Sequence, residues 1–254
     1  VTGFSVFLGK ELREIWRTWR IWVIPGMMVF FAITGPLIAL ATPRLVASFA
    51  GSQPGLVIQI PDPTARDALG QFLKNLSQIV IIAIIITGAG AVSGERASGT
   101  AVLTLSKPLS RAAFVVAKVV AQQLLLLAAT IVGTVLTVVV TEALFNDLPV
   151  RSFVMAVGLW LGFALLLIAV MTFFSVLLHS RGGAAGLGLG FLFIVLLLSA
   201  WKPVAASTFA GLLGASASVL AGQPVGVGWP LVTAGLGAVL AIGGAIWLFR
   251  RQEL

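Results

Sequence analysis

Over residues 4–22, large apolar side chains recur in steps of three and four: Phe4, Leu8, Leu12, Ile15, Trp16, Trp19 and Trp22. Lys10, Arg13, Glu14, Arg17 and Arg20 fill the remaining face. This predicts an amphipathic interfacial helix over 1–21, its Trp and Leu on a bilayer surface and its basic groups in water. Beyond it the periodicity gives way to long, almost uncharged runs at 22–41, 76–93, 111–140, 153–178, 184–201 and 228–249. Each reaches the length of about 17 residues or more that crossing a hydrocarbon core requires. The pattern predicts an all-α polytopic membrane protein with six spans, forming a single transmembrane domain over 1–254.

The polar interruptions set the topology. The connection 42–75 is longer than most loops and is expected on the external side. Within it, "IPDPTARDALGQFLKN" carries a helix start, with Asp62 placed to cap and Pro63 suited to the first turn. Leu69, Phe72, Leu73 and Leu76 continue as an apolar stripe into the second span. The segment 203–222 is apolar enough to tempt a seventh span, and the charges decide against it. With six spans, both termini share a side with 94–109 and with "HSRGG". That side holds Lys10, Arg13, Arg17, Arg20, Arg96, Lys107, Arg111, Lys118, Arg181, Arg250 and Arg251. The other side has Arg44, Arg66, Lys74, Arg151 and Lys202. Acidic residues divide evenly, so the basic residues carry the bias, as cytoplasmic flanks require. Segment 203–222 is then a re-entrant element or a surface-lying helical pair, its backbone sheltered by protein. Both termini are expected in the cytoplasm and the chain in the cell membrane.

Composition strengthens this picture. Of 254 residues, 59% are hydrophobic and 9% charged, against about a quarter charged in soluble domains. The net charge of +8 reads as membrane flanking, with no nucleic-acid partner implied. Without cysteine and with one histidine, disulfides, thiolate sites and a protein-only transition-metal site are not expected. No cleavable signal is expected, because the first apolar run follows a long charged amphipathic stretch.

Several chemistries find no support. No G-x-x-x-x-G-K-[ST] motif occurs. The run "RGGAAGLGLGF" repeats glycine at Gly182, Gly186 and Gly190, a small-residue stripe that lets membrane helices approach. Gly90 with Gly94, and Gly237 with Ala241 and Ala245, repeat the pattern, for bundle packing or a dimer seam. The spans lack Asp, Glu, Arg and His near mid-membrane, and Lys118 lies about two turns past Ser110, within snorkelling reach of the surface. A self-powered ion-coupled carrier is therefore disfavoured, while a passive channel is not. For an intramembrane hydrolase, His179 would have to reach Ser216 across a core of about 30 Å.

One passage stands apart: "SGERASGTAVLTLSKPLSRAAFVVAKVVAQ" between the second and third spans. Ser98 can start a short helix, Pro108 breaks it, and Ser110 caps the next span. Glu95 is the unusual member. Anchoring does not call for a carboxylate, and one held at the membrane face needs a partner, most simply Arg96, Arg111 or a basic group on another subunit. The passage resembles the signature of ABC-2-type permeases, the membrane subunits of a class of ABC exporters: E-[RK]-x-x-G-T, an apolar stretch, P-[LIV]-S-R, and a lysine about seven residues later. Glu95, Arg96, Gly99, Thr100, Pro108, Ser110, Arg111 and Lys118 match it position by position.

The resemblance implies that 94–109 is a coupling helix docking on a separate ABC ATP-binding subunit, present in two copies per complex. The helix bearing Lys10, Arg13, Arg17 and Arg20 would be the connecting helix on the inner leaflet. A second permease copy or a paralogue would complete the pathway. The 42–75 loop leaves room for an external accessory subunit. ATP and Mg2+ would belong to the partner, with no cofactor, metal or catalytic residue on this chain. The competing class is a passive channel or membrane scaffold, which has no reason to build the passage from Glu95 to Lys118. The substrate stays open among drugs, peptides, lipid-like molecules and cargo for copper-enzyme maturation. The charge-free spans lean toward an amphipathic molecule over a bare ion.

Overall fold

A computed structural model describes residues 2–50, 62–100, 104, 106 and 109–252. Its elements are α1 (Thr2–Arg17), α2 (Arg20–Ala50), α3 (Ala65–Asn75), α4 (Ile81–Ala89), α5 (Ser93–Ala97), α6 (Arg111–Leu144), α7 (Val150–Leu177), α8 (Arg181–Ser199), α9 (Lys202–Ser207), α10 (Leu212–Leu220) and α11 (Gly228–Arg251). No strand occurs among the described residues. Six helical segments are long and apolar enough to cross a membrane: Ile21–Val46, Ala65–Ala97, Arg111–Leu144, Val150–Leu177, Arg181–Ser199 and Gly228–Arg251. The protein is a helical bundle of six candidate spans.

Several boundaries differ from the sequence expectation, each for a local reason. The first span continues to Ala50 despite Pro25, Pro36 and Pro43, because a membrane helix can re-satisfy the groups a proline frees. The expected loop over 42–75 is therefore helical at both ends, and residues 51–61 lie outside the description. At the start of α3 the cap is Thr64, where Asp62 was expected. Its side chain accepts from the Asp67 amide, and the Asp67 carboxylate accepts from the Thr64 amide in return, closing a capping box. A π-helical turn at Leu76–Val80 joins α3 to α4, so the second span begins well before residue 76. The 203–222 segment forms the short helices α9 and α10, joined by a 3-10 turn at Phe209–Gly211.

The bundle is organised around α7. Phe153, Trp160 and Phe163 on this helix are completely buried, and α4, α6, α8, α10 and α11 all pack on it. Where α4 ends, at Gly90, the chain turns before α5 resumes, and a broken membrane helix must find partners for its freed backbone groups. Ser175 of α7 supplies them. Its hydroxyl accepts from the amides of Val92 and Ser93, both at 3.0 Å, and donates to the Ala89 carbonyl at 2.8 Å. Ser216 of α10 donates to the Ala156 carbonyl of α7 at 2.9 Å. That fixes the short pair against the opposite end of α7 from exposed His179, which removes the hydrolase geometry.

The small-residue stripe expected on α8 does not serve packing within this chain. Gly182, Gly186 and Gly190 face open space. The closely packed positions are Ala184, fully buried, and Gly188, whose added Cβ would meet Met171 and lie 2.9 Å from Ile85. A period-four pattern fixes which residues share a face, but two such faces run along α8 and only one is turned toward α4 and α7.

Gly188→Ala should therefore lower the thermal unfolding temperature in neutral detergent, by overpacking of about 1–3 kcal/mol. Gly158→Ala, with no neighbour within 4 Å, should leave it unchanged or raise it slightly through helix propensity.

Candidate functional site

At the end of the bundle that carries both termini, a second apolar cluster forms from Phe7, Val92, Phe114, Val115, Ala117, Val176, Ala245 and Phe249. Phe114 of α6 is stacked between Phe7 of α1 and Phe249 of α11, with ring centroids 5.3 Å apart on each side. These rings hold the two ends of the chain against α6. Directly beside them lies the polar site.

Its centre is Lys118, one turn along α6 from Phe114 and only 2% exposed. The expectation that it snorkels to the surface is overturned. Its ammonium donates to both carboxylate oxygens of Glu11, each at 3.1 Å, and to Glu95 Oε1 at 2.6 Å. It also lies over the rings of Phe114 and Phe7, 5.0 and 5.8 Å from their centroids. Glu11 belongs to α1 and Glu95 to α5, so one cation ties three helices. Glu95 thereby finds Lys118, where Arg96 or Arg111 was expected. The guanidinium groups of both arginines point elsewhere.

Lys10 extends the cluster, 2.7 Å from Glu14, 3.2 Å from Glu11 and 3.6 Å from Glu95. Burial works against its charge, but the Glu14 hydrogen bond and the charges of Glu11 and Glu95 outweigh it and hold the ammonium above the ordinary lysine range. Such a shift stabilises the fold below the unfolded lysine pKa and fades only at strongly alkaline pH. Lys10 is charged throughout the physiological range. The carboxylates of Glu11, Glu14 and Glu95 lie within 4.8 Å of one another. That spacing suits a metal ion, but two ammonium groups already stand among them and supply the counter-charge.

Arg96 turns the other way. Its guanidinium donates to the carbonyls of Val176 and Leu178, at 3.2 and 3.3 Å, and to the Gln252 side chain. Gln252 in turn donates to the Val176 carbonyl at 3.1 Å. Arg96 therefore closes the C-terminal end of α7, where carbonyls lack helical partners. Arg111 does the same for α11, donating to the carbonyls of Phe249, Arg250 and Gln252 at 2.9, 3.1 and 2.7 Å. Ser110 caps α6, its hydroxyl accepting from the Ala113 amide.

The segment after Glu95 closes on itself. The hydroxyls of Ser98 and Thr100 lie 2.8 Å apart and each 3.2 Å from the Glu95 carbonyl, one donating to it directly and the other through its neighbour or in its place. Gly99 takes a φ of 71°, a left-handed conformation that glycine adopts without strain. Gly94 lies under Arg181, which an added Cβ would meet at 2.8 Å. The turn from Ala97 to Thr100 is exposed. Pro108 and Lys107 lie outside the described residues, as do 101–103 and 105 within the expected coupling helix.

Of the basic residues assigned to the first helix whose side chains are described, Lys10 reaches the site and Arg13 and Arg17 do not. Arg13 and Arg17 are exposed, and the Arg20 side chain lies outside the description. The buried face of α1 is Phe7, Glu11 and Ile15, while Trp16, Trp19 and Trp22 remain exposed on the face suited to lipid. Glu11 escaped the sequence reading because a search for apolar stripes passes over a carboxylate. Its spacing of four residues from both Phe7 and Ile15 was the available signal. One carboxylate oxygen and one guanidinium nitrogen of the site are left over: Glu95 Oε2 and Arg96 Nε are buried without hydrogen-bond partners.

Lys118→Met should destabilise the protein by about 3–5 kcal/mol, because it leaves Glu11 and Glu95 facing each other with only the more exposed Lys10 to neutralise them. Adding Glu11→Gln and Glu95→Gln should restore much of that loss, as read by denaturant unfolding in micelles.

Comparison with known proteins agrees with this architecture. The profile of the ABC-2 family transporter protein matches residues 6–217. A relative, the uncharacterized transmembrane protein YxlG of Bacillus subtilis (strain 168), is 24% identical over 249 residues, covering 97% of this chain and 96% of its own. With six apolar helices long enough to span and a family match across most of its length, the chain belongs to the ABC-2 family of transporter proteins and is a multi-pass membrane protein of the permease type.

Proposed function

We propose that this chain is the permease subunit of an ATP-driven exporter, passing substrate across the cell membrane by alternating access while a separate ATP-binding subunit hydrolyses ATP. The observation that carries the proposal is the divergence of two adjacent residues. Glu95 holds α1 and α6 through Lys118, whereas Arg96 holds the ends of α7 and α11. A force applied to the exposed turn at residues 97–100 therefore reaches both halves of the bundle through neighbouring side chains. A passive channel or scaffold has no use for such a joint.

Chemistry at the joint supports movement. Glu95 Oε2 and Arg96 Nε are buried polar atoms without partners, a costly condition that a second arrangement of the turn would relieve. Lys118 can keep Glu11 while Glu95 shifts, since each carboxylate meets the ammonium separately. The partner acts only if its ATP-bound form favours one arrangement over the other. In this reading ATP and Mg2+ sit on two copies of that partner, this chain pairs with a second permease, and the end bearing the termini faces the cytoplasm.

The test is ATP turnover by the affinity-purified complex in lipid vesicles. Replacing Glu95 and Arg96 together by Gln should lower substrate-stimulated turnover roughly tenfold, within the usual span of coupling between sites, with membrane insertion intact. Lys202→Ala, at the opposite end of the bundle, should leave turnover unchanged. Unaltered turnover in a correctly assembled Glu95→Gln, Arg96→Gln protein would refute the coupling role.

A further inference from the structure

At the other end of the bundle, α3 and α10 diverge around a groove of about 630 Å³, within the size range of small-molecule sites. The α3 wall presents Arg66 and Lys74, followed by Ser77 and Gln78 on the π-helical turn. The α10 wall is apolar, with Leu213 and Ala217 facing them. We infer that this groove binds an anionic amphiphile of the phospholipid type, its phosphate between Arg66 and Lys74 and its acyl portion against α10.

Charge is the first support. Among the described residues neither Arg66 nor Lys74 forms an ion pair. The carboxylate in the groove, Asp67, is engaged through Oδ2, which accepts from the Thr64 amide at 2.9 Å and from the Thr64 hydroxyl at 2.7 Å; it keeps its charge, so the groove carries one positive charge in excess. Arg66 is held across the groove, both terminal nitrogens 3.8 Å from where a Cβ on Gly222 would stand. It thus overlies the turn that ends α10, where a helix C-terminus favours a cation. An excess of positive charge here runs against the scarcity of basic residues on this side of the membrane.

Depth is the second support. Lys74 lies 15 residues before Ala89, the last residue of α4, or about 22 Å of helix at 1.5 Å per residue, and the turn at Gly90 and α5 follow. A hydrocarbon core is about 30 Å thick. With α5 at one boundary, Lys74 stands at the far end of the span, toward the other. Inward of Lys74 the α3 wall continues through Ser77 and Gln78 while the facing α10 wall stays apolar, and outward of it Gly70 brings α3 against Leu220. A wholly water-soluble anion would gain nothing from the Leu213 and Ala217 wall, and a neutral lipid would leave both cations unused. The inference goes beyond the coupling proposal and requires no ATP-binding partner.

It is tested on the full chain in neutral detergent by calorimetric titration with dioctanoyl phosphatidylglycerol, dioctanoyl phosphatidylcholine and inorganic phosphate. Phosphatidylglycerol should bind at least about tenfold more tightly than either of the others. Arg66→Gln with Lys74→Gln should abolish that preference, and Ala217→Trp, which fills the groove from the opposite wall, should block binding while the unfolding temperature stays unchanged. Equal affinity for the two lipids would overturn the charge assignment. Phosphate binding as tightly as the anionic lipid would overturn the amphiphile, and binding undiminished in both variants would place the lipid elsewhere.

Discussion

The arrangement at the terminal end depends on one constraint: an ammonium group withdrawn from water must be neutralised and hydrogen-bonded where it lies. Lys118 is nearly inaccessible, and the one carboxylate on α6, Glu142, lies 24 residues away at the other end of the helix. The counter-charges come from elsewhere in the chain, Glu11 from the first helix and Glu95 from the short helix after the second span. An otherwise separable amphipathic helix is thereby bound to the bundle at a defined register. The aromatic stack from Phe7 through Phe114 to Phe249 supplies the apolar half of the same joint. It also shields the ions, which strengthens their attraction and raises the cost of separating them.

This end of the molecule is built differently from the rest. Around α7 the contacts are apolar and close, with Trp160, Phe153 and Phe163 fully enclosed, and polar groups there mostly satisfy nearby backbone. Such packing resists continuous deformation. The terminal end instead uses charge-assisted hydrogen bonds to helix ends, at Arg96 and Arg111, and a carboxylate–ammonium cluster with one buried oxygen unmet. Discrete donors and acceptors can exchange partners, whereas interlocked rings and aliphatic chains cannot do so without opening cavities. Under the proposed coupling role, a rigid bundle with a re-pairable polar joint would transmit a displacement without dissipating it in the packing.

Much of this was readable in the residues. Six apolar runs gave the spans, and the Ser110 cap followed from the passage that contains it. The partners within that passage were less legible. Glu11 and Glu95 are separated by 84 positions, and a local pattern does not encode which distant charge a buried lysine will meet. Ser175 illustrates the same limit: one serine in an apolar run gives no sign that it will hold the broken end of α4. Gly182, Gly186 and Gly190 of α8 turn away from α4 and α7, since periodicity specifies a face but not the direction it turns.

The most direct measurement exploits the absence of cysteine from the chain. Ser98→Cys places a unique thiol on the exposed turn next to Glu95 and Arg96, and Asp147→Cys places one at the opposite end of the bundle. Both are labelled with a thiol-specific photo-cross-linker in native membranes, illuminated, and the products identified by mass spectrometry. The account predicts that position 98 captures an ATP-binding subunit carrying a P-loop, with a yield that changes when ATP is bound, and that position 147 captures none. Failure of position 98 to reach any such subunit, in membranes where the chain is intact and the label efficient, would contradict the account.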